Sequence, residues 1–362
     1  MSRSDSEQVG RRCLRLLTFS LPHFLVVHAA LAGEITPPKF LGAQSCASSS
    51  CHGGAADKHN QNIVWAQRDF HTRAQATLTI GRSRLMIQTL KGEDATSDPR
   101  CTVCHNPFQS VPAAQKGPLV QALEGVSCES CHNAAESWLL THTRTDITYA
   151  QKVSSGMRDL KNLYARANTC VACHQNVDAE VRRAAHPELT FELDGQCLTM
   201  PRHWPETNRL RGAQAWFVGQ AVALREAAAQ AKESSASDEI KARAKAIAFV
   251  LGVSSDHDAA DELARNSSTG EWTTEEVRAQ LDKLATRDIA ATAPALEIAM
   301  RAERTVLGLD RLTTALGLGK NSTVSAALNK LFAEVQSRPD FDVKKFSTDL
   351  DAFREVVKTA LR

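Results

Sequence analysis

Aromatic side chains are scarce in this 362-residue sequence, at 5% with two tyrosines, so a packed core needs flat apolar mass from another source. An excess of one charge is lacking too. With 43 Lys and Arg against 41 Asp and Glu the formal net charge is +2, which excludes the strongly basic face that nucleic acid requires. The apolar run from Leu16 to Leu31 is about 16 residues, short of the ~20 that span a membrane. Between residues 33 and 206 there is no strand-like alternation, and nine prolines keep regular elements short. Methionine in that stretch is limited to Met86, Met157 and Met200.

Cysteine is what the chain has in abundance, ten in all. Cys-Thr-Val-Cys-His occupies 101–105 and Cys-Glu-Ser-Cys-His occupies 128–132, with 22 residues between them. A third copy is Cys170-Val-Ala-Cys173-His174, and a wider variant, Cys46-Ala-Ser-Ser-Ser-Cys51-His52, lies upstream. Each is a c-type haem attachment signal. Two thiols a helical turn apart form thioethers with the two vinyl groups of one haem, and the adjacent histidine lies under the iron. Zinc ribbons are the rival reading, but zinc favours paired Cys-x-x-Cys knuckles or a His-x(3–5)-His arm. It must explain four adjacent histidines as coincidence, whereas haem requires them. The expectation is four covalently bound haem c groups, on Cys46 and Cys51, Cys101 and Cys104, Cys128 and Cys131, and Cys170 and Cys173. His52, His105, His132 and His174 are the expected proximal iron ligands. Four porphyrins would also supply the missing flat apolar mass. Of the other two cysteines, Cys13 lies in the leader and Cys197 reads as a small buried apolar residue.

Arg11, Arg12 and Arg15 precede the apolar run, and Ala30-Leu31-Ala32 is a small-x-small cleavage site, so residues 1–32 read as a secretion signal peptide. This implies a periplasmic or otherwise exported protein with no stable membrane span after cleavage. The leader holds four arginines against Asp5 and Glu7, so its removal brings the formal charge to zero. Residues 33–206 form the expected haem domain. At about 160 residues from Cys46 onward it is too small to give each haem a separate fold, so the haems share walls, wrapped by short helices and irregular loops. Residues 207–362 form the expected helical domain. Leu210, Ala213, Phe217, Ala221, Leu224 and Ala228 make one apolar helical stripe. Helices follow over Glu239–Leu251, from a Thr273/Glu276 capping box, and over Leu296–Leu316, Val324–Val335 and Val343–Leu361. The fold class is mainly α: a multihaem cytochrome c region followed by an α-helical bundle.

Six further histidines remain in the mature chain: His59, His71, His142, His186, His203 and His257. His257, between two aspartates beyond the haem region, reads as solvated. The other five suffice for a second imidazole on each iron, with one to spare. Met200 is a weaker alternative sixth ligand; it would raise a haem's potential, whereas a second histidine keeps it lower.

Several segments resemble the cytochrome c-554 family of tetrahaem cytochromes. They are the attachment signals, Trp65-Ala-Gln-Arg-Asp-Phe-His71-Thr-Arg-Ala, Trp138-Leu-Leu-Thr-His142 after the third signal, and His186-Pro-Glu-Leu-Thr-Phe-Glu continuing to Met200-Pro-Arg-His203-Trp204. The resemblance covers roughly residues 40–206 and implies a periplasmic electron carrier with paired, mostly bis-histidine haems. It supports His71, His142 and His186 as distal ligands, leaving His203 and His59 for the fourth place. The wide first signal and the long helical tail depart from the family pattern. The function expected is electron transfer between redox protein partners. The alternative is an oxidoreductase acting on a small nitrogen or sulfur compound at one open-faced haem. A lysine in place of a proximal histidine would mark such an enzyme, and every signal here ends in histidine.

Overall fold

The structure is a computed structural model that describes residues 36–204, 206–336 and 340–362. The expected signal peptide, Cys13 and the cleavage site lie outside the described residues. Among those described there is no strand, only one isolated bridge between Phe40 and Lys116. None of the described helices is long and apolar enough to cross a membrane. The protein is mainly α, as its composition and periodicity imply.

Among the described residues, eight short helices carry the first half: α1 (Gln61–Arg68), α2 (Gly81–Thr89), α3 (Pro99–His105), α4 (Cys128–His132), α5 (Tyr149–Ser154), α6 (Leu163–His174), α7 (Ala179–Arg183) and α8 (Leu193–Thr199). Short 3-10 turns and loops join them. Local chemistry starts each key helix where it does. Asp98 caps α3 by accepting from the Arg100 amide at 2.9 Å, with Pro99 inside the first turn. Ser127 and Ser130 form a capping box on α4, and Asn162 caps α6 through the Ala165 amide at 3.1 Å. Three of these helices, α3, α4 and α6, end on the histidine of an attachment signal.

The second half is seven longer helices: α9 (Leu210–Ala231), α10 (Asp238–Leu251), α11 (His257–Ser267), α12 (Thr274–Ala285), α13 (Ala295–Ala315), α14 (Ser322–Val335) and α15 (Val343–Ala360). The Thr273/Glu276 capping box forms as its sequence indicates, with bonds of 2.7 and 3.2 Å. Two features differ from the periodicity reading. Helix α11 is amphipathic but has few large apolar residues; its buried face is Ala260 and Ala264, whose small side chains let it lie close against α9. Helix α9 is buried from Ala213 to Leu224 without a break, not along one stripe. It is the axle of the fold, packed by α6 and α8 from the first half and by α10, α11, α12 and α13 from the second.

The apolar core is accordingly continuous across the two halves. Leu163, Ala167 and Val171 of α6, Phe191 ahead of α8, and Leu193 and Cys197 in it belong to the same buried cluster as Val218, Leu224, Leu309 and Phe353. Cys197 is buried, as its lone occurrence implied, and burial pushes its thiol upward. Polar ties accompany the packing. Gln175 donates to the Ala223 carbonyl at 2.9 Å, and Arg225 reaches Asp261 at 2.7 Å while the Tyr164 hydroxyl donates to the same aspartate at 2.7 Å.

Gly219 marks the closest approach of α8 to α9: a Cβ there would sit 2.7 Å from Cβ of Leu193. Gly219→Val is therefore expected to force the two helices apart and to cost about 1–3 kcal/mol through overpacking. Denaturant unfolding of the intact protein checks this; an unchanged midpoint would show that α8 does not seat against α9 as described.

Candidate haem-binding centre

Each attachment signal has a defined local frame. In α3, α4 and α6 the two cysteines stand one turn apart and the histidine closes the helix. The wider first signal reaches the same end differently. Cys46 closes a 3-10 turn, the Cys51 and Gly53 amides both bond the Ser48 carbonyl, and the His52 amide bonds the Cys46 carbonyl at 3.2 Å. The extra residues are thus folded into a tight loop that brings Cys51 and His52 back toward Cys46.

The four signals adjoin in space in an order different from their order in the chain. The Cys46 and Cys128 thiols interact, which holds Cys46 below its usual range and pushes Cys128 far above it. Cys104 and Cys173 do the same, Cys104 shifting down and Cys173 up. Arg158 joins α4 to α6, donating to the Ser130 carbonyl at 3.3 Å and to the Thr169 hydroxyl at 3.0 Å. The spatial succession is first, third, fourth, second.

The histidines are arranged in facing pairs. His52 faces His142 with ring centroids 6.1 Å apart and planes 20° from parallel. His174 faces His71 at 6.0 Å and 87°, and His132 faces His203 at 6.3 Å and 63°. His186 lies near enough to His105 for its charge to depress the His105 basicity, although burial is the larger cause of that shift. Two imidazoles bonded at about 2 Å to opposite faces of one metal place their centroids roughly 6 Å apart. Three of the expected distal residues, His71, His142 and His203, thus lie at that spacing from an expected proximal one. His59 is exposed, bonds the Cys51 carbonyl through Nδ1 at 2.7 Å, and forms no imidazole pair among the described residues.

The chemistry of these side chains suits iron. Nδ1 is engaged in five of them: His52 with Gln61 at 2.8 Å, His71 with Asp69 at 2.9 Å, His105 with the Ala74 carbonyl at 3.0 Å, His142 with the Leu139 carbonyl at 2.5 Å and His186 with the Pro187 carbonyl at 2.8 Å. A proton held on Nδ1 leaves the Nε2 lone pair for a metal. Burial pushes His132 down to about 4, helped by His203, and also lowers His142, His174 and His203. These rings are neutral at neutral pH, as ligation requires. Eight of the nine large apolar side chains exposed among the described residues fall between Phe70 and Leu198, where a flat apolar macrocycle would cover them. Among the described residues no three His, Cys, Asp or Glu side chains converge on one point as a zinc site needs.

Several supporting residues escaped the sequence reading. Glu129, inside the third signal, is 1% exposed. Its carboxylate accepts from the amides of Leu41 at 2.9 Å, Gly42 at 2.7 Å and Ala135 at 2.7 Å, clamping the approach to the first signal onto the third. Burial pushes this carboxyl upward, and the three amides pull it back. Gly42 has a φ of 86° and would place a Cβ 2.3 Å from the Leu119 carbonyl oxygen, so only glycine presents its amide here. Trp138 is buried edge-on to His142 at 5.2 Å. Asp69 and Gln61 hold the Nδ1 atoms named above. Their only signal in the sequence is position, two residues before His71 and nine after His52.

Residues 45–133 match the family described as cytochrome c554 and c-prime, a stretch containing the first three attachment signals. The match makes this segment similar to c-type cytochromes, a family of electron transfer with covalently bound haem c. Comparison with curated proteins yields no match, and comparison with solved structures yields none.

Glu129→Gln is expected to destabilise the protein by about 1–3 kcal/mol, because its amide nitrogen would confront an N–H that now has an acceptor. Thermal unfolding of the haem-loaded protein measures this; an unaltered transition would mean that the clamp between the first and third signals carries no stability.

Proposed function

We propose that this chain, with its cytochrome c554 segment, is an exported four-haem electron carrier whose haems are each held between two histidines. The observation that carries the reading is the set of facing imidazoles, His52 with His142, His132 with His203, and His174 with His71, which leaves His186 as the candidate for His105. The cysteine pairs would hold the macrocycles by thioethers. When bound, haem supplies a one-electron iron couple, and two imidazoles keep its potential low. What the chain's own residues do is anchor, orient and insulate. The Nδ1 partners fix each ring, α6 seats the fourth signal on the buried helix α9, and Arg158 and Glu129 hold neighbouring signals together. Electrons would pass in the spatial order first, third, fourth, second, between a donor protein and an acceptor protein.

The pairing of three expected proximal histidines, with His186 available for His105, favours a carrier over an enzyme with one open-faced haem. Export is supported by the basic, apolar and small-residue pattern of residues 1–32, and a periplasmic site by the need to attach haem to an unfolded, translocated chain. We assign residues 33–206 to haem binding and 207–362 to a helical support that covers one face of α6 and α8.

The intact mass of the exported protein is expected to show four haems that survive denaturation, and its spectra are expected to be entirely low-spin. His71→Ala is expected to leave all four attached while turning one haem high-spin and open to carbon monoxide. Three haems or fewer in attachment-competent cells would overturn the count; an unaltered spin state would remove His71 as a ligand. A chain ending at residue 206 is expected to attach haem but to unfold at markedly lower temperature, since the α6 face of Leu163, Ala167 and Val171 loses its cover. Equal melting temperatures for the two forms would refute the supporting role.

A further inference from the structure

The acceptors that hold the paired histidines are not chemically equal. His52 is held by an amide oxygen, His142 and His186 by backbone carbonyls, and His105 by the Ala74 carbonyl together with the Thr77 hydroxyl, all of them uncharged. His71 alone among the described histidines of these pairs has a carboxylate on Nδ1, that of Asp69. We propose that Asp69 sets the potential of the haem held between His71 and His174, lowering it below the value its two imidazoles alone would give. The proposal rests on the reading of His71 as an axial ligand.

Asp69 is built into the site. It is 7% exposed, although its neighbour Phe70 is 79% exposed. Its amide bonds the Trp65 carbonyl at the end of α1, and its own carbonyl accepts from the Thr72 amide at 3.3 Å and the Thr72 hydroxyl at 3.0 Å. With the main chain so fixed, Oδ1 accepts from both the His71 amide, at 3.0 Å, and the His71 Nδ1, at 2.9 Å. The carboxylate therefore has one available position, along the Nδ1–H bond.

A carboxylate in that position draws the Nδ1 proton toward itself and loads negative charge onto the ring. The opposite nitrogen becomes a stronger donor. A stronger donor stabilises ferric iron more than ferrous, because the ferric state carries the extra positive charge. The buried charge of Asp69 acts in the same direction, since low local dielectric leaves it poorly screened. A carbonyl or amide acceptor orients the ring equally well but carries no net charge.

The test is a spectroelectrochemical titration of the full-length haem-loaded protein at one neutral pH, comparing wild type with Asp69→Asn, Asp69→Ser and Asp69→Glu. Both neutral variants keep a hydrogen-bond acceptor for the His71 amide, and either serves if the other fails to accumulate. The expected result is four low-spin haems, one of which becomes about tenfold easier to reduce, which is about 59 mV for a one-electron couple. Asp69→Glu, which retains the charge, is expected to recover at least part of the wild-type value. Neutral variants that stay low-spin with unshifted titrations would overturn the proposal. So would a high-spin haem in both of them, because Asp69 would then only hold His71 in place. Failure of the underlying ligand assignment is read separately, from an unchanged spin state in His71→Ala.

Discussion

The path of the first half follows from bringing imidazoles at the ends of attachment signals against imidazoles from remote parts of the chain. His52 meets His142, and His71 meets His174. The partners are some 70 to 100 residues apart, so each pair closes a long loop and the loops interlock. Short helices, 3-10 turns and proline-punctuated connections suit this requirement, because the chain must change direction every few residues to deliver a ring at a set place. The residue Ala185 shows the local cost. It takes a left-handed φ of 68° immediately before His186, with its carbonyl held by Arg82 at 3.0 Å.

Such loops could not hold their register without a rigid neighbour. Helix α6 supplies the link, since one face carries Cys170, Cys173 and His174 while Leu163, Ala167 and Val171 pack into the helical core. Helix α9 is the surface they pack on, and its alanine-rich composition lets helices from both halves approach it closely. The polar side chains buried on it are largely tied in: Gln214 donates to the Ser267 and Gly270 carbonyls, and the Gln220 amide oxygen accepts from Arg304 while its nitrogen has no partner. The second half thereby fixes the orientation of the fourth signal, and Arg158 extends that order to the third.

The paired rings are also graded in their electrostatics. Amide, carbonyl and carboxylate acceptors stand behind otherwise similar imidazoles, and their planes differ from nearly parallel to nearly perpendicular. A set of cofactors with the same covalent attachment can therefore differ in potential through neighbours that never touch the iron. A directional relay needs such differences.

The attachment signals were legible from the sequence because thioether chemistry needs two thiols and a histidine at near-fixed local spacing, and local spacing is what a linear text preserves. Helices α9, α10, α12, α13, α14 and α15 were legible for a similar reason, through apolar period and capping residues; α11, short and mostly polar, buries alanines where the others bury large apolar residues, and was not. The candidate second histidines could be counted but not matched. The approach of His203, and not His59, to His132, like the other ring pairs, depends on contacts between residues far apart in the chain. The same holds for the spatial succession of the signals, the burial of α9 on every side, and the roles of Glu129 and Asp69. A carboxylate two residues from a histidine is common, and only the tertiary structure, by burying Asp69 and aiming it at Nδ1, makes that neighbour a charge the ring must feel.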